Sequence, residues 1–280
     1  MLSGSNSYEL NDSTYRLLTD FIYQNSGLRY DETSKYVLQK RLSLRVRELN
    51  LDSFEKYYYY LTYHPNRETE LENIFDLITI NETYFYREER QLRAFAEEII
   101  PEVQEEKRES KTLRIWSAGC SSGEEPYTIA LLCNEIASLQ GWDIDIFASD
   151  ISQKVIQTAR RGIYNESSFR STDPHVRQMY FEKAIENKYR IKDEIRQRVT
   201  FGKLNLLDDQ KTGIFSELDL IFCRNVIIYF DVNAKKRVIE NFYKKLRKGG
   251  FLLLGHSESL LSLSTKFKLR HLKNDMVYQK

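Results

Sequence analysis

Leu113-Arg114-Ile115-Trp116-Ser117-Ala118-Gly119-Cys120-Ser121-Ser122-Gly123-Glu124-Glu125-Pro126-Tyr127 reads as a strand, a small-residue turn and a helix start in one unit. Leu113, Ile115 and Trp116 suit a buried strand. Gly119 and Gly123 let backbone approach a ligand without side-chain interference, and Pro126 fits the first turn of a helix. At the carboxyl end of a parallel strand, such a turn is the usual ligand crevice of an open α/β sheet.

The same residues narrow the ligand. A P-loop needs Gly-Lys-Ser/Thr at the helix start and a dinucleotide fingerprint needs Gly-x-Gly-x-x-Gly, whereas here Gly119-x-x-x-Gly123 stands without a following lysine. Glu124 and Glu125 occupy the place where a phosphate would dock and would repel the anion that a bare helix N-terminus attracts. A phosphate-free ligand is expected. S-adenosylmethionine fits, offering an ammonium and a sulfonium to carboxylates and a ribose and adenine to the rest of the sheet edge. On this stretch alone, a plain glycine turn whose glutamates complement the helix dipole fits equally well.

Composition sets the bounds. The 280 residues suffice for one large or two ordinary domains, and a 41% hydrophobic content can bury a real core. A net charge of +1 gives no global field for nucleic acid, so any electrostatic partner must meet a local patch. Cys120, Cys133 and Cys223 are odd in number and widely spaced, against a disulfide framework or a cysteine-rich zinc site. No apolar run approaches the roughly eighteen residues of a membrane helix, and Met1 to Asn6 is no signal peptide. The expectation is a soluble, reduced, cytoplasmic protein with no metal, no membrane insertion and no nucleic-acid partner.

From Tyr8 to Glu72 glycine and proline are scarce, and helical patterns cover Asn11 to Gln24, Thr33 to Leu49, Ser53 to Tyr63 and Arg67 onward. Caps are expected at Asp12 or Ser13, Asp31 or Thr33, and Asp52 or Ser53, with breaks at Gly27 and His64-Pro65-Asn66. In the second helix Leu38, Leu42, Val46 and Leu49 form an apolar stripe, with Lys40 and Arg47 opposite and Arg41 on the flank. A solvated surface accounts for that basic face on pattern alone. The run Tyr57 to Tyr60 reads as a helix with aromatics on both core and surface, and has no functional account.

Ile78 to Glu88, dense in polar and aromatic types, joins this helical part to the rest. It suits either a linker that closes a cofactor pocket with Asn81, Thr83 and Arg87, or a capped helix entry. Beyond Pro101 come strand Leu113 to Ser117, helix Pro126 to Leu139, strand Ile144 to Ser149 ending in Asp150, and helix Gln153 to Tyr164. Asp150 is placed to accept ribose hydroxyls or to cap the helix near Ser152. An irregular insertion follows, in which Lys188 to Lys192 alternates like a small exposed strand. Strands Val199 to Phe201, Leu218 to Cys223 and Phe251 to Leu254, a helix Val232 to Leu246, the Lys248-Gly249-Gly250 turn and a tail hairpin from Lys266 to Tyr278 complete the chain. Alternating strands and helices predict an α/β fold with a mainly parallel, doubly wound sheet.

The order of motifs resembles the CheR-type chemotaxis receptor methyltransferases. Its residues are Asn81-x-Thr83-x-Phe85-x-Arg87-Glu88, Trp116-Ser117-Ala118, Ser122-Gly123-Glu124-Glu125-Pro126-Tyr127, Phe147-Ala148-Ser149-Asp150, Ala159-Arg160, Gly162-Ile163-Tyr164, Asn205-Leu206-Leu207, Ile221 to Val226, Ile228-Tyr229-Phe230 and Gly255-His256-Ser257-Glu258. The resemblance implies a class I methyltransferase-like domain over 91–280, an inserted β subdomain over 165–200 and a helical receptor-recognition domain plus linker over 1–90. It implies methyl transfer from S-adenosylmethionine to glutamates on the cytoplasmic helices of chemoreceptors, with S-adenosylhomocysteine as product. By motif, Asn81, Thr83, Arg87, Gly119, Glu124, Asp150, Asn205, Leu206, Asn225 and Val226 resemble the cofactor contacts. Arg87 and Tyr229 resemble the pair nearest the reacting methyl, and Lys40, Arg41 and Arg47 become candidates for meeting acidic receptor helices.

The chemistry needs little else. A sulfonium methyl is a strong electrophile and a glutamate is ionised at neutral pH, so displacement needs orientation rather than a general base. Too tight a cation on the carboxylate would weaken the nucleophile, which makes Arg87 a positioning group. The chain accordingly shows no convincing Ser-His-Asp or Cys-His set, and His256 after the fifth strand reads as a structural cap. Some family members bind a receptor tether peptide through a glycine-containing turn of the insertion. Here Phe181 to Tyr189 is shorter and glycine-free, which argues against tether binding and leaves the helical domain as the receptor contact. A methyltransferase for another substrate and a non-catalytic signalling adaptor are the competing readings.

Overall fold

The structure, a computed structural model, describes residues 8–280, so the reading of Met1 to Asn6 lies outside the described residues. Two compact units divide the chain, one built on residues up to Ile80 together with Tyr229–Asp231, the other on Asn81–Ile228 and Val232–Lys280. The division falls after Ile80 rather than at residue 90, so Asn81 to Arg90 belongs to the second unit.

The first unit contains α1 (Asp12–Ser26), α2 (Lys35–Glu48), α3 (Phe54–Tyr63) and α4 (Arg67–Ile78). Helix starts follow side chains that satisfy the first free amides: Asn11 accepts from Thr14 N and Ser53 from Lys56 N, while Asp31 opens a 3-10 turn that leads into α2. The α1 cap is thus one residue earlier than expected. Gly27 ends α1 at φ 74, where its N–H reaches Tyr23 O at 2.7 Å. Leu38, Leu42 and Val46 are buried with Leu18, Ile22, Phe54 and Leu61, as the apolar stripe requires, while Leu49 is only half-buried. The tyrosine run divides by helical phase: Tyr57 is buried and donates to Glu70 Oε1 at 2.6 Å, Tyr59 is exposed, and Tyr60 stacks on His64. Tyr229 joins this unit through its carbonyl, which accepts from Arg29 N at 3.2 Å beside a bridge from Leu28 to Phe230.

The second unit opens with α5 (Glu89–Ala94) and α6 (Ile100–Glu106), continuous through a π turn at Phe95–Ile99. Then come β1 (Thr112–Ala118), α7 (Glu124–Glu135), β2 (Asp143–Asp150), α8 (Gln153–Arg161) and β3 (Ile163–Tyr164). The insertion adds α9 (Pro174–Tyr180), β4 (Phe181–Lys183), β5 (Tyr189–Ile191) and α10 (Asp193–Arg196). The chain finishes with β6 (Val199–Lys203), β7 (Leu218–Cys223), α11 (Val232–Lys245), β8 (Leu246–Leu254), β9 (Lys268–His271) and β10 (Met276–Gln279).

The main sheet has the order β6-β2-β1-β7-β8-β10-β9, with parallel pairing from β6 through β8 and an antiparallel hairpin at the β10 side. The α/β sheet and its tail hairpin are as expected. Strand order reverses between β1 and β7, so the crevice of the fold opens beyond the carboxyl ends of those two strands. Both carry near-continuous buried runs, as strands covered on two faces must.

Three local expectations differ. The helix after β1 begins at Glu124 and ends at Glu135, before a separate 3-10 turn at Ala137–Leu139. The helix after β2 stops at Arg161 because Gly162 turns left-handed at φ 62, releasing Ile163 and Tyr164 into the small sheet. Residues 189–191 form the centre of that sheet, ordered β3-β5-β4, with Ile191 buried rather than the whole strand exposed.

Candidate functional site

The turn after β1 is pinned to β2: Gly119 N and Cys120 N both donate to Ser149 O, at 2.8 and 2.9 Å. Gly119 sits at φ 87, and a Cβ there would lie 2.3 Å from Val226 Cγ2, so the turn after β1 and the loop after β7 pack as closely as backbone allows. Ser121, at φ 48, directs its N–H to Asp150 Oδ2 at 2.9 Å, and Ser152 N donates to Oδ1 at 3.0 Å. Asp150 is therefore tied to the crevice turn and to the start of α8. The helix cap itself is Ser152, whose side chain accepts from Val155 N.

Glu124 and Glu125 separate in role. Glu124 is 3% exposed, accepts from Ser122 Oγ at 2.7 Å and Ser168 Oγ at 3.1 Å, and burial pushes its carboxyl above the ordinary range. Glu125 turns the other way, accepting from Ser117 Oγ at 2.7 Å and Arg224 Nη1 at 3.3 Å. Burial raises Glu125 too, against the pull of Arg224. The expected pair of anion-repelling glutamates reduces to Glu124, because Glu125 faces a cation.

On the far side of the crevice, Leu204 N donates to Asp150 O at 2.9 Å, which sets Asn205 and the buried Leu206 beyond β6. Asn205 Oδ1 accepts from Leu207 N at 3.0 Å. Asn225 follows β7 in left-handed backbone at φ 59, and its Oδ1 is buried with no hydrogen-bond partner among the described residues. Glu258 holds this loop, accepting from Asn225 N at 2.8 Å, Val226 N at 2.9 Å and Gly255 N at 2.7 Å. Burial raises Glu258, opposed by those amides. Gly255 has no room for a Cβ, which would meet Asn225 Nδ2 at 2.8 Å.

The segment from Asn81 to Glu88 reaches the same turn, since Ser121 Oγ donates to Asn81 O at 3.1 Å. Phe85 is buried and anchored by its N–H to Ser168 O at 2.9 Å, and Tyr86 N donates to Thr128 Oγ1 at 3.2 Å. Thr83 and Arg87 are half-buried. Arg87 Nη1 donates to Glu82 O at 2.9 Å and its guanidinium lies 5.7 Å from the Tyr84 ring centre, with Arg170 on that ring at 3.7 Å. Tyr86 and Glu88, on either side of Arg87, have φ 59 and 56.

The structure thus brings Asn81, Gly119, Glu124, Asp150, Asn225 and Val226 into one hydrogen-bonded and packed set, with Arg87 and Thr83 on the same segment as Asn81. Tyr229 belongs to the other unit. Lys40 and Arg47 are exposed on α2, whereas Arg41 is half-buried and donates to Ile78 O at 2.7 Å. Sequence reading missed Ser168, Arg224 and Glu258. Arg224 and Glu258 stood inside quoted motifs, but nothing in a linear sequence shows that one is a buried cation and the other a clamp on backbone amides. His256, read as a cap, instead meets Asp275 Oδ2 at 3.1 Å while half-exposed. Among the described residues no metal-ligating cluster occurs and no helix is long and apolar enough to cross a membrane.

Both units of the chain resemble known proteins. Residues 81–276 match the family model described as CheR methyltransferase, SAM binding domain, and residues 13–79 match CheR methyltransferase, all-alpha domain. A Vibrio cholerae protein named chemotaxis protein methyltransferase 2 is 36% identical over 276 residues, covering 98% of this chain and 95% of that one. A Borreliella burgdorferi chemotaxis protein methyltransferase is 35% identical, covering 93% and 94% of the two chains. A Salmonella typhimurium relative of the same name is 33% identical, covering 96% and 92%. With both family models matched in order and relatives similar over nearly their whole length, the chain belongs to the CheR methyltransferase family.

Proposed function

We propose that this chain adds methyl groups to glutamate side chains on the cytoplasmic helices of chemoreceptors, giving methyl esters in chemotaxis adaptation. The family is one of S-adenosylmethionine-dependent methyltransferases, and the relatives bear the names of chemotaxis enzymes. A cytoplasmic location follows from that role.

The observation that carries the cofactor reading is a set of acceptors on the loops after the parallel strands: the carboxylates of Asp150 and Glu124, and the unpartnered Asn225 Oδ1. A buried amide oxygen without a donor is costly, and a ligand rich in donors relieves it. S-adenosylmethionine, with its ammonium, ribose hydroxyls and adenine amine, is such a ligand, so the residues fit the group. Asp150 would receive the ribose and Glu124 the ammonium. Asn81, Thr83, Gly119, Asn205, Leu206, Asn225 and Val226 would complete its surroundings. When bound, the cofactor supplies a methyl already activated by positive sulfur.

The rest is positioning. A substrate glutamate is ionised at neutral pH, so no base need remove a proton. Arg87 would orient the incoming carboxylate; Tyr229, its partner by motif, belongs to the other unit.

Receptor recognition falls to α2. Lys40 and Arg47 are exposed there beside Val37 at 45% and Leu44 at 37%, and the four share one face by helical spacing. Exposed cations with apolar neighbours suit an acidic amphipathic helix. Arg41 would contribute from the flank, although its guanidinium already holds the end of α4. The turn of the insertion adopts left-handed backbone at Glu186 and Asn187 without glycine, and no tether contact is assigned to it.

The test is incubation with tritiated S-adenosylmethionine and receptor-containing membranes. Label in the receptor supports the reading. Label on other proteins or small molecules supports the runner-up, a methyltransferase of different substrate.

A further inference from the structure

Arg224 is the first residue after β7, and its side chain is 3% exposed. A guanidinium that buried must be paired and hydrogen-bonded. Its Nη2 donates to the backbone carbonyl of Arg87, Nη2 and Nε reach Glu88 Oε2 at 3.2 and 3.4 Å, and Nη1 reaches Glu125 Oε2 at 3.3 Å. One cation therefore joins three separate segments. They are the linker segment with Asn81, Thr83 and Arg87, the α7 start with Glu124, and the β7 loop with Asn225 and Val226.

The backbone at this junction is unusual. Tyr86 and Glu88 both occupy the left-handed region, which L-residues adopt sparingly and keep only where surroundings over-determine them. Phe85 N to Ser168 O and Tyr86 N to Thr128 Oγ1 fix the entry to this kink. After the kink, Arg224 holds the Arg87 carbonyl and the Glu88 carboxylate, while the Glu88 carbonyl accepts from Gln91 N at 3.0 Å as α5 begins. With the carbonyl and the following φ set, the direction in which the Arg87 side chain leaves the backbone is set too.

We propose that Arg224 is a positioning residue for methyl transfer: by clamping the Arg87 carbonyl and Glu88 against Glu125, it aims the Arg87 side chain while touching neither cofactor nor substrate. The inference rests on the role proposed for Arg87. Its charge also offsets Glu88 and Glu125, two half-buried carboxylates that would otherwise repel each other.

The test compares the full chain with Arg224→Lys, which keeps the charge but loses the planar fork. Three readouts are needed: affinity for S-adenosylhomocysteine, kcat and KM with receptor fragments, and amide hydrogen exchange. The variant is expected to lose about 100-fold in kcat, as a small misplacement of an orienting group does, with KM for the cofactor within about threefold. Amides of residues 84–89 should exchange about tenfold faster or more, while those of β1 stay protected. Unchanged exchange at 84–89 with kcat within about threefold of wild type overturns the proposal. So does equal loss of protection in β1 and in 84–89, which marks a merely structural residue. Should Arg224→Lys fail to fold, Glu88→Gln gives the same split in milder form, and its absence there counts against the proposal. If the wild-type chain methylates no receptor, the reading of function fails, yet the exchange comparison still decides whether Arg224 holds the Arg87 segment.

Discussion

Ser121 N lies 2.9 Å from Asp150 Oδ2, a hydrogen bond that joins the turn after the first strand to the end of the second. Ser121 accepts left-handed backbone to make it, and Ser152 N satisfies the other carboxylate oxygen. An aspartate held by two amides keeps its orientation and still presents lone pairs to a ligand. Replacing it by Asn substitutes a donor for one acceptor. Asp150→Asn should therefore weaken S-adenosylhomocysteine binding by about 10- to 100-fold, the loss expected for hydrogen bonds to a charged group, and should also lower the thermal midpoint, because the new NH2 faces the N–H of Ser121 or Ser152. Calorimetry and a melting curve check both halves.

Gly119 and Val226 give a second prediction. A Cβ at Gly119 would stand 2.3 Å from Val226 Cγ2 at a φ of +87, so Gly119→Ala meets both a clash and an unfavourable backbone. The expected cost is about 1–3 kcal/mol of stability, accompanied by loss of cofactor binding as the two loops part. Gly213→Ala is the control, because nothing lies within 4 Å of its Cβ position and its backbone is not left-handed. Wild-type affinity in Gly119→Ala would show that the loops need not be so close.

In the helical unit Glu70, 2% exposed, takes Arg45 Nε at 2.9 Å and Nη2 at 2.6 Å, Tyr57 Oη at 2.6 Å and Asn73 Nδ2 at 3.1 Å. Burial alone would raise its carboxyl, but Arg45, Tyr57 and Asn73 together outweigh it and leave it below the ordinary value of 4.5. A lowered folded-state value means stability that is present above pH 4.5 and lost as pH falls through the folded value. Glu70→Gln should cost about 1–3 kcal/mol at pH 7, since it weakens the charged hydrogen bonds at a buried site and leaves Arg45 only the half-exposed Glu48 as counter-charge, and the gap from wild type should narrow below pH 4.5. Denaturant unfolding across pH measures this.

Charge reversal on α2 separates recognition from chemistry. Lys40→Glu together with Arg47→Glu should raise the KM for receptor about tenfold or more, leave cofactor affinity unchanged and steepen with falling ionic strength. Arg41→Ala should instead lower stability modestly, because it removes one of the two donors to Ile78 O and leaves only the Tyr30 hydroxyl.

Much of this was legible in the chain. The strand from Leu113, the glycine turn and the acidic end of the second strand are local signals, and the parallel sheet follows from their alternation. The buried stripe of α2 likewise announced itself by period. What stayed hidden depends on distant partners: Glu125 pairs with Arg224, Glu258 with the amides of Asn225 and Val226, and Ser168 with Glu124. Residues 188–192 looked exposed because their charges alternate, yet pairing on both sides puts Ile191 in a core. Helix ends at Glu135 and Arg161 were set by turns that periodicity does not encode.

The most direct measurement is the chemical lability of the product. Receptor labelled by this enzyme and tritiated S-adenosylmethionine is treated with mild base, beside a sample from Arg87→Ala. The account predicts that label leaves as methanol, as a glutamate methyl ester requires, and that Arg87→Ala incorporates at least about 100-fold less. Label that resists base, or an Arg87→Ala rate within a few-fold of wild type, contradicts it.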